Sequence, residues 1–436
     1  MSDIIAEQKG EAAVQELHRK FLESGASPSF RSINDKGIAR FETLGFPHPK
    51  HEMYTFVNTH EISGTEFQLS SGKVEPASVD ANTYASCQDS RIVFVDGVYD
   101  ESLSNTSGLP QGVKLIALEE ALSQDDIKTH LEKTIEGEND VFACLNAAFL
   151  KGGLLIEVAA GTVMETPLQV LTIGTETKTP ATHHARLLVR VGRTSEVKLV
   201  TKYIGTGAGY FVNSVQDFIL DDGASVSLAR VQADHAEAWH MEKIRVFQGR
   251  DSRFNALCGS GGSKLARVHS EIRLQGEGAE ARLTNASVLI NEDQSHHFIR
   301  IHHEAPHTIS HQLFKNVIND KGRSSVDGTV IVNEGAQLTS SHQLINNLML
   351  SDTAHADNKP NLMIFADDVK CTHGATVGQI DEDQLFYLKT RGLPGDLATE
   401  LLTTSFVESL ISQVPYPEVL ADMKALLLKK LEVKND

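Results

Sequence analysis

Two residues near the C-terminus carry the most specific chemistry in this 436-residue chain. In the run DDVKCTHGATVG, Cys371 and His373 stand on either side of Thr372. An extended backbone puts side chains i and i+2 on one face, so the thiol and the imidazole point the same way. Sulfur beside imidazole suits a soft metal or an iron–sulfur centre. Two ligands fall short of the four that an iron–sulfur cluster ordinarily takes, so a second chain must complete any such site. A free cysteine is also a routine small apolar residue, and that reading of Cys371 stands beside the ligand reading.

Imidazole is concentrated in the same region. His296, His297, His302, His303, His307, His311, His342, His355 and His373 are nine of the 19 histidines in the chain. Along HHFIRIHH, alternation places His297, Ile299, Ile301 and His303 on one face, expected to point inward, and His296, Phe298, Arg300 and His302 on the other. Three imidazoles meet at a metal only if stacked strands bring them together. For most of them the expectation is a solvated or hydrogen-bonded group on an exposed sheet.

Other chemistries are missing. A nucleotide loop needs glycines ending in GK[ST], but CGSGGSKL places Ser263 between Gly262 and Lys264, and IGTGAGY misses the GxGxxG spacing. Both read as turns. No GxSxG, HExxH or kinase signature occurs. Asp367 and Asp368 are adjacent and would face opposite ways in a strand, a poor acid–base couple for cleaving a glycan. With 58 acidic against 40 basic side chains, the formal charge of -18 opposes binding to a phosphate backbone. Cys87, Cys144, Cys258 and Cys371 form no CxxC pair, which fits a reducing compartment. The opening segment has no apolar run of signal-peptide length, and nowhere do about 18 apolar residues run uninterrupted. A cytoplasmic protein with no membrane or nucleic-acid partner is expected.

Residues 4–24 space Ile4, Ile5, Ala12, Val14, Leu17 and Phe21 along one helical stripe, with Gly25 as the stop. GIARFETLGF followed by Pro47 and Pro49 reads as a helix and then an extended arm. RIVFVDGVY reads as strand around a turn, whereas KLIALEEALS and DIKTHLEKTI read as helical. From about residue 146 to 365 the pattern is β. A phrase recurs within it at about 28-residue spacing: VGRTSEVKLV, DDGASVSLAR, GRDSRFNAL, GEGAEARLT and NEGAQLTSS. A unit that small cannot close its own core, so stacking into a solenoid is favoured over a sandwich with generic glycine turns. The tail is helical again, with Leu397, Leu401, Leu402, Phe406 and Leu410, then Leu420, Met423, Leu427 and Leu431, suited to capping the solenoid or to holding a partner. The organisation predicted is 1–145 helical and mixed, 146–368 β-helix core, and 369–436 final strand and helical domain.

The run KPNLMIFADDVKCTHGATVGQIDEDQLFYLKTRG, with HTISHQLFKNVINDKGRSSVDGTVIV before it, closely resembles the SufD family of the SUF iron–sulfur cluster assembly system. RFETLGFPHPKHEMYTFVN is similar to that family's N-terminal helix and arm, so the resemblance spans most of the chain from about residue 30. It implies a mainly β fold, a right-handed parallel β-helix flanked by N- and C-terminal helical domains. It further implies a non-catalytic scaffold that pairs with SufB through the β-helices and holds the ATPase SufC on its C-terminal helices. The nascent Fe–S cluster would be shared with SufB, with His373 implicated and Cys371 in support, and the isolated chain would carry none. The stretch 381–413 would hold the ATPase, with Leu385, Phe386 and Phe406 as apolar candidates. Exposed strand edges make a homodimer plausible when the partner is absent, and no dinucleotide fingerprint supports a flavin site here. A solenoid glycan enzyme and a histidine-based metal buffer are the competing classes.

Overall fold

Each repeated phrase forms a corner of a coil. Gly161, Thr194, Gly223, Asp251, Gly278, His307 and Leu338 occupy equivalent corners, all with positive φ between 53° and 75°. In each, the backbone N–H donates to a carbonyl of the following coil, from Gly161 to Arg193 at 2.9 Å through to Leu338 to Asp368 at 2.6 Å. These stacked left-handed residues satisfy the corner backbone between coils, where no strand ladder reaches. Only some need to be glycine, because the bond offsets the strain of the others.

The chain is seen here in a computed structural model that describes residues 2–24, 26–48, 51–70, 72–414 and 416–431, with the side chains of 2–8 outside the description. Ile4, Ile5, Gly25 and Pro49, read above as helix stripe, stop and arm, fall outside it in side chain or altogether. The core is a parallel β-solenoid of about eight turns. Each turn gives one strand to each of two ten-stranded sheets, from Leu154–Val158 and Leu168–Gly174 to His355–Ile364 and Lys370–Gly378. Strands of successive turns pair parallel and in register, so identical positions stack into rows. One interior row begins Leu168, Leu199, Leu228, Ala256 and Leu283. The isolated glycine clusters IGTGAGY and CGSGGSKL lie at turns between strands, as read from sequence.

The start of the solenoid recruits earlier chain. Arg91–Val95 pairs parallel with Leu168–Gly174, and antiparallel with Val98–Tyr99 across a turn in which Asp96 and Gly97 have φ of 49° and 80°. Val113–Ala117 is a strand antiparallel to Leu154–Val158, which corrects the helical reading of KLIALEEALS. Only Leu118–Ala121 of that run is helical. Its start has strand pairing available, and Leu115 packs on the solenoid core, so tertiary context overrides local period. Asp125–Glu136 is helical as read, burying Ile127, Leu131 and Ile135.

Helices cover the outer faces. Every residue of Val141–Ala148 is buried. Its Asn146 amide donates to the carbonyls of Ala185 and Asn213, both at 2.9 Å, and Asn213 donates to the Phe142 carbonyl at 2.8 Å. Helix Arg31–Leu44 crosses it so closely at Gly37 that a Cβ there would lie 2.4 Å from the Ala148 nitrogen. On the other sheet, Gly395–Ile411 and Pro417–Leu428 fold back across the outer face. The Tyr84 hydroxyl and Lys202 Nζ hold Asp422 at 2.6 and 2.8 Å. These helices therefore line the side of the solenoid and leave its C-terminal end open. Among the described residues no helix is long and apolar enough to cross a membrane.

Candidate functional site

The open end is made by the last coil. His355–Ile364 and Lys370–Gly378 are each paired on one side only, so each presents an unpaired row of backbone groups. Pro360, which has no N–H to offer, stands on one of these edge strands, where a proline is tolerated. Met363, Ile364, Phe365 and Val377 are exposed, Val377 by 57%. Asp367 and Asp368 lie in the bend between the strands rather than within one, and the Asp368 N–H donates to Gln337 Oε1 at 3.0 Å.

Cys371 pairs with Ser341 and His373 with Gln343, positions buried inside the coil below, so both belong to inward-facing rows. The shared face expected for them follows from this register. Cys371 is half-buried, packed against the cluster of Val330, Val332, Ala336 and Ala366. Burial pushes its thiol above the ordinary value, which keeps it protonated. His373 occupies the same inward face but has no coil above it and is exposed.

The other histidines do not converge. His297 and His303 point inward with Ile299 and Ile301, as the alternation of HHFIRIHH predicts. His297 packs on Phe314 with ring centroids 5.0 Å apart, and His303 bridges Thr308 and Ser310 at 2.7 and 2.9 Å. His296, on the outer face, is buried against Ser325 at 2.7 Å. These three are buried rather than set on an exposed sheet; His296 and His303 are hydrogen-bonded, whereas His297 Nε2 has no hydrogen-bond partner. His311, His342, His355 and His373 remain outside the core. Among the described residues no group of three or more His, Cys, Asp or Glu could hold a metal ion.

Of the apolar candidates in the tail, Phe386 is 68% exposed, on a helix, Glu382–Thr390, that buries no residue at all. Its neighbour Tyr387 is exposed too, as are Leu397 and Leu401 on the next helix. Leu385 is partly covered. Phe406 turns toward the solenoid, where Lys315 Nζ sits 4.8 Å over its ring and donates to its carbonyl at 3.0 Å.

Sequence reading missed two buried charge networks. Under the N-terminal helices, Asp217 accepts from Arg186 at 2.7 Å and Arg245 at 2.8 Å, and Glu138 holds Arg245 and Lys243. Inside the solenoid, Glu242 accepts from Arg230, Tyr203 and Gln216, while His240 Nδ1 lies 2.9 Å from the Asp234 carboxylate. Burial pushes the Glu242 carboxyl up, but Arg230 more than offsets this and brings it down to about 2. Alternation marks Arg186, Asp217 and Arg245 as outward and solvated; it turns Arg230, His240 and Glu242 inward with Leu228, Ile244 and Val246, but does not show which of them meet.

Against known families, residues 172–406 match the SUF system FeS cluster assembly SufBD core domain, more than half the chain. The chain belongs to the SufBD family. Residues 12–170 match the SufBD protein N-terminal region. A SufBD family iron–sulfur cluster assembly protein of Synechocystis sp. is 30% identical over 92% of this chain and 91% of its own. The iron–sulfur cluster assembly protein SufD of Escherichia coli is 26% identical over 91% and 92%. SufB of Bacillus subtilis is also 26% identical, over 74% and 70%. The SufBD family is part of the SUF system of iron–sulfur cluster assembly.

Proposed function

We propose that this SufBD protein is a SufD-type scaffold subunit, cytoplasmic and not itself an enzyme, which pairs with a SufB-like chain through the open end of its solenoid. The observation that carries this reading is the last coil, where two unpaired strand edges and exposed apolar side chains adjoin an imidazole that, among the described residues, belongs to no group of three or more metal donors. Unpaired strands recruit further strands, because added main-chain hydrogen bonds satisfy both partners. In isolation the same edges would favour a homodimer. The match to the SufD of Escherichia coli over nine-tenths of both chains supports the SufD-type assignment, while the SufD and the SufB of Bacillus subtilis match alike over about seven-tenths.

In this reading the nascent Fe–S cluster is cargo. His373 gives it one nitrogen at the junction, the SufB-like chain supplies the missing ligands, and Cys371 has a supporting part. The ATPase SufC would sit on the exposed helix Glu382–Thr390, with Phe386 as anchor and the partly covered Leu385 beside it, while Phe406 sets the next helix against the solenoid. ATP hydrolysis belongs to that partner.

The variant His373→Ala is expected to fold and assemble normally, since removing an exposed side chain changes stability by no more than about 0.5 kcal/mol. Cluster formation in the co-purified complex, followed by visible absorbance, should fall at least ~10-fold. Unchanged cluster yield, or a chain that fails to fold, refutes this. Replacing Phe386 and Tyr387 together by aspartate should remove the ATPase from a pull-down while the SufB-like chain and the melting temperature are kept. Retention of the ATPase would remove it from this helix.

A further inference from the structure

The interior row that leads to His373 changes character on its way there. In the first five coils it is Leu168, Leu199, Leu228, Ala256 and Leu283. In the next two it is Gln312 and Gln343, and His373 follows in register. Both glutamines are buried, at 1% and 0% exposure. Gln343 Nε2 donates to Gln312 Oε1 at 3.1 Å, so the two amides stack as a ladder along the solenoid axis. Gln343 Oε1 is buried and has no hydrogen-bond partner. An orphaned buried carbonyl is costly, and leucine already fills the equivalent place in four earlier coils, so packing alone does not account for the amides.

Room has been made for them. Gly328 faces the ladder from the opposite sheet, and a Cβ there would lie 2.0 Å from Gln343 Nε2 and 3.4 Å from Gln312 Oε1. It is flanked in its strand by alternating Val326 and Val330, both of which turn large side chains inward.

We infer that Gln343 is a positioning residue for His373: its free Oε1 accepts the N–H of one ring nitrogen and leaves the other nitrogen, as a lone pair, facing out of the open end. Adjacent strands are about 4.8 Å apart, which side chains stacked in register span with one hydrogen bond. Histidines that ligate metals are commonly held this way, by a carbonyl or carboxylate on the second nitrogen that fixes tautomer and orientation. The Gln312 amide in turn fixes Gln343, so the ladder orients the ligand from inside the solenoid. This inference rests on the scaffold reading of His373.

The test is the tautomer of His373 in the isolated chain, read by NMR of the protein labelled with nitrogen-15 histidine and assigned by the His373→Ala difference. A single tautomer is expected in the wild type, a mixture in Gln343→Leu, and a single tautomer again in Gln343→Glu, which keeps an acceptor. The double variant Gln312→Leu, Gln343→Leu continues the apolar row without stranding either amide, and should also give the mixture. In the assembled complex, Gln343→Leu should lower cluster retention about 10-fold, with recovery in Gln343→Glu. A tautomer unchanged in both leucine variants overturns the role of Gln343 and leaves the scaffold reading intact. Normal cluster assembly by His373→Ala overturns the scaffold reading instead.

Discussion

The variant Asp217→Ala is expected to lose about 3–5 kcal/mol of unfolding free energy, measured by chemical denaturation. Asp217 is fully buried between Arg186 and Arg245. Burial pushes its carboxyl up, and the two guanidinium groups more than offset that, holding it well below the usual carboxylate range. Alanine leaves Arg186 without its partner and Arg245 with only Glu138, both cut off from water. An uncompensated buried charge costs more than the pair contributed, so the loss exceeds that of a surface ion pair such as Lys321–Glu292, worth at most about 1 kcal/mol. A loss below about 1 kcal/mol would show that water reaches this network.

Acid should unfold the protein well above the range in which its carboxylates titrate. Burial lowers His184, His296 and His297 to about 3, and His269 and His303 to about 4. Unfolded histidine titrates near 6.5, so below that pH the unfolded chain binds protons that the folded chain refuses. The stability these groups provide is therefore full above about pH 6.5 and is lost as pH falls toward their folded values. At pH 5 each contributes about 2 kcal/mol of destabilisation relative to pH 7, and five together rival a typical total of about 5–15 kcal/mol. His240 works in the opposite direction: burial lowers it, but Asp234 beside it raises it further, so its contribution is present below 6.5 and lost at higher pH. An unfolding midpoint between about pH 5 and 6 is expected by circular dichroism, and a folded protein at pH 4 would contradict it.

These buried groups also mark where the sequence stops being legible. The solenoid could be read because its corner phrases recur at fixed spacing, and because the cost of leaving one coil's apolar face uncovered is independent of detail. The common face of Cys371 and His373 follows from strand alternation alone. Period could not say that Val113–Ala117 joins a sheet, since its partner strand lies some forty residues on. Nor could it separate Phe386 from Phe406, both apolar positions on helices, of which one faces solvent and the other Lys315. Alternation turns Arg230, Glu242, His297 and His303 inward without showing what they meet there, and His296 looks like a solvated polar residue until its neighbours enclose it. The polar turn of one interior row, from Leu283 to Gln312 and Gln343, becomes visible only when register aligns residues about 30 positions apart.

Pairing through the open solenoid end is the central claim, and its most direct measurement is co-expression of this chain with a SufB-like chain and a P-loop ATPase, followed by size-exclusion chromatography with light scattering. The wild type should elute as one complex of all three, and Val377→Arg, which places a charge on the exposed edge strand, should lose the SufB-like chain yet keep the ATPase. A complex that forms equally well with Val377→Arg, or a chain that elutes alone beside both candidates, would contradict the account.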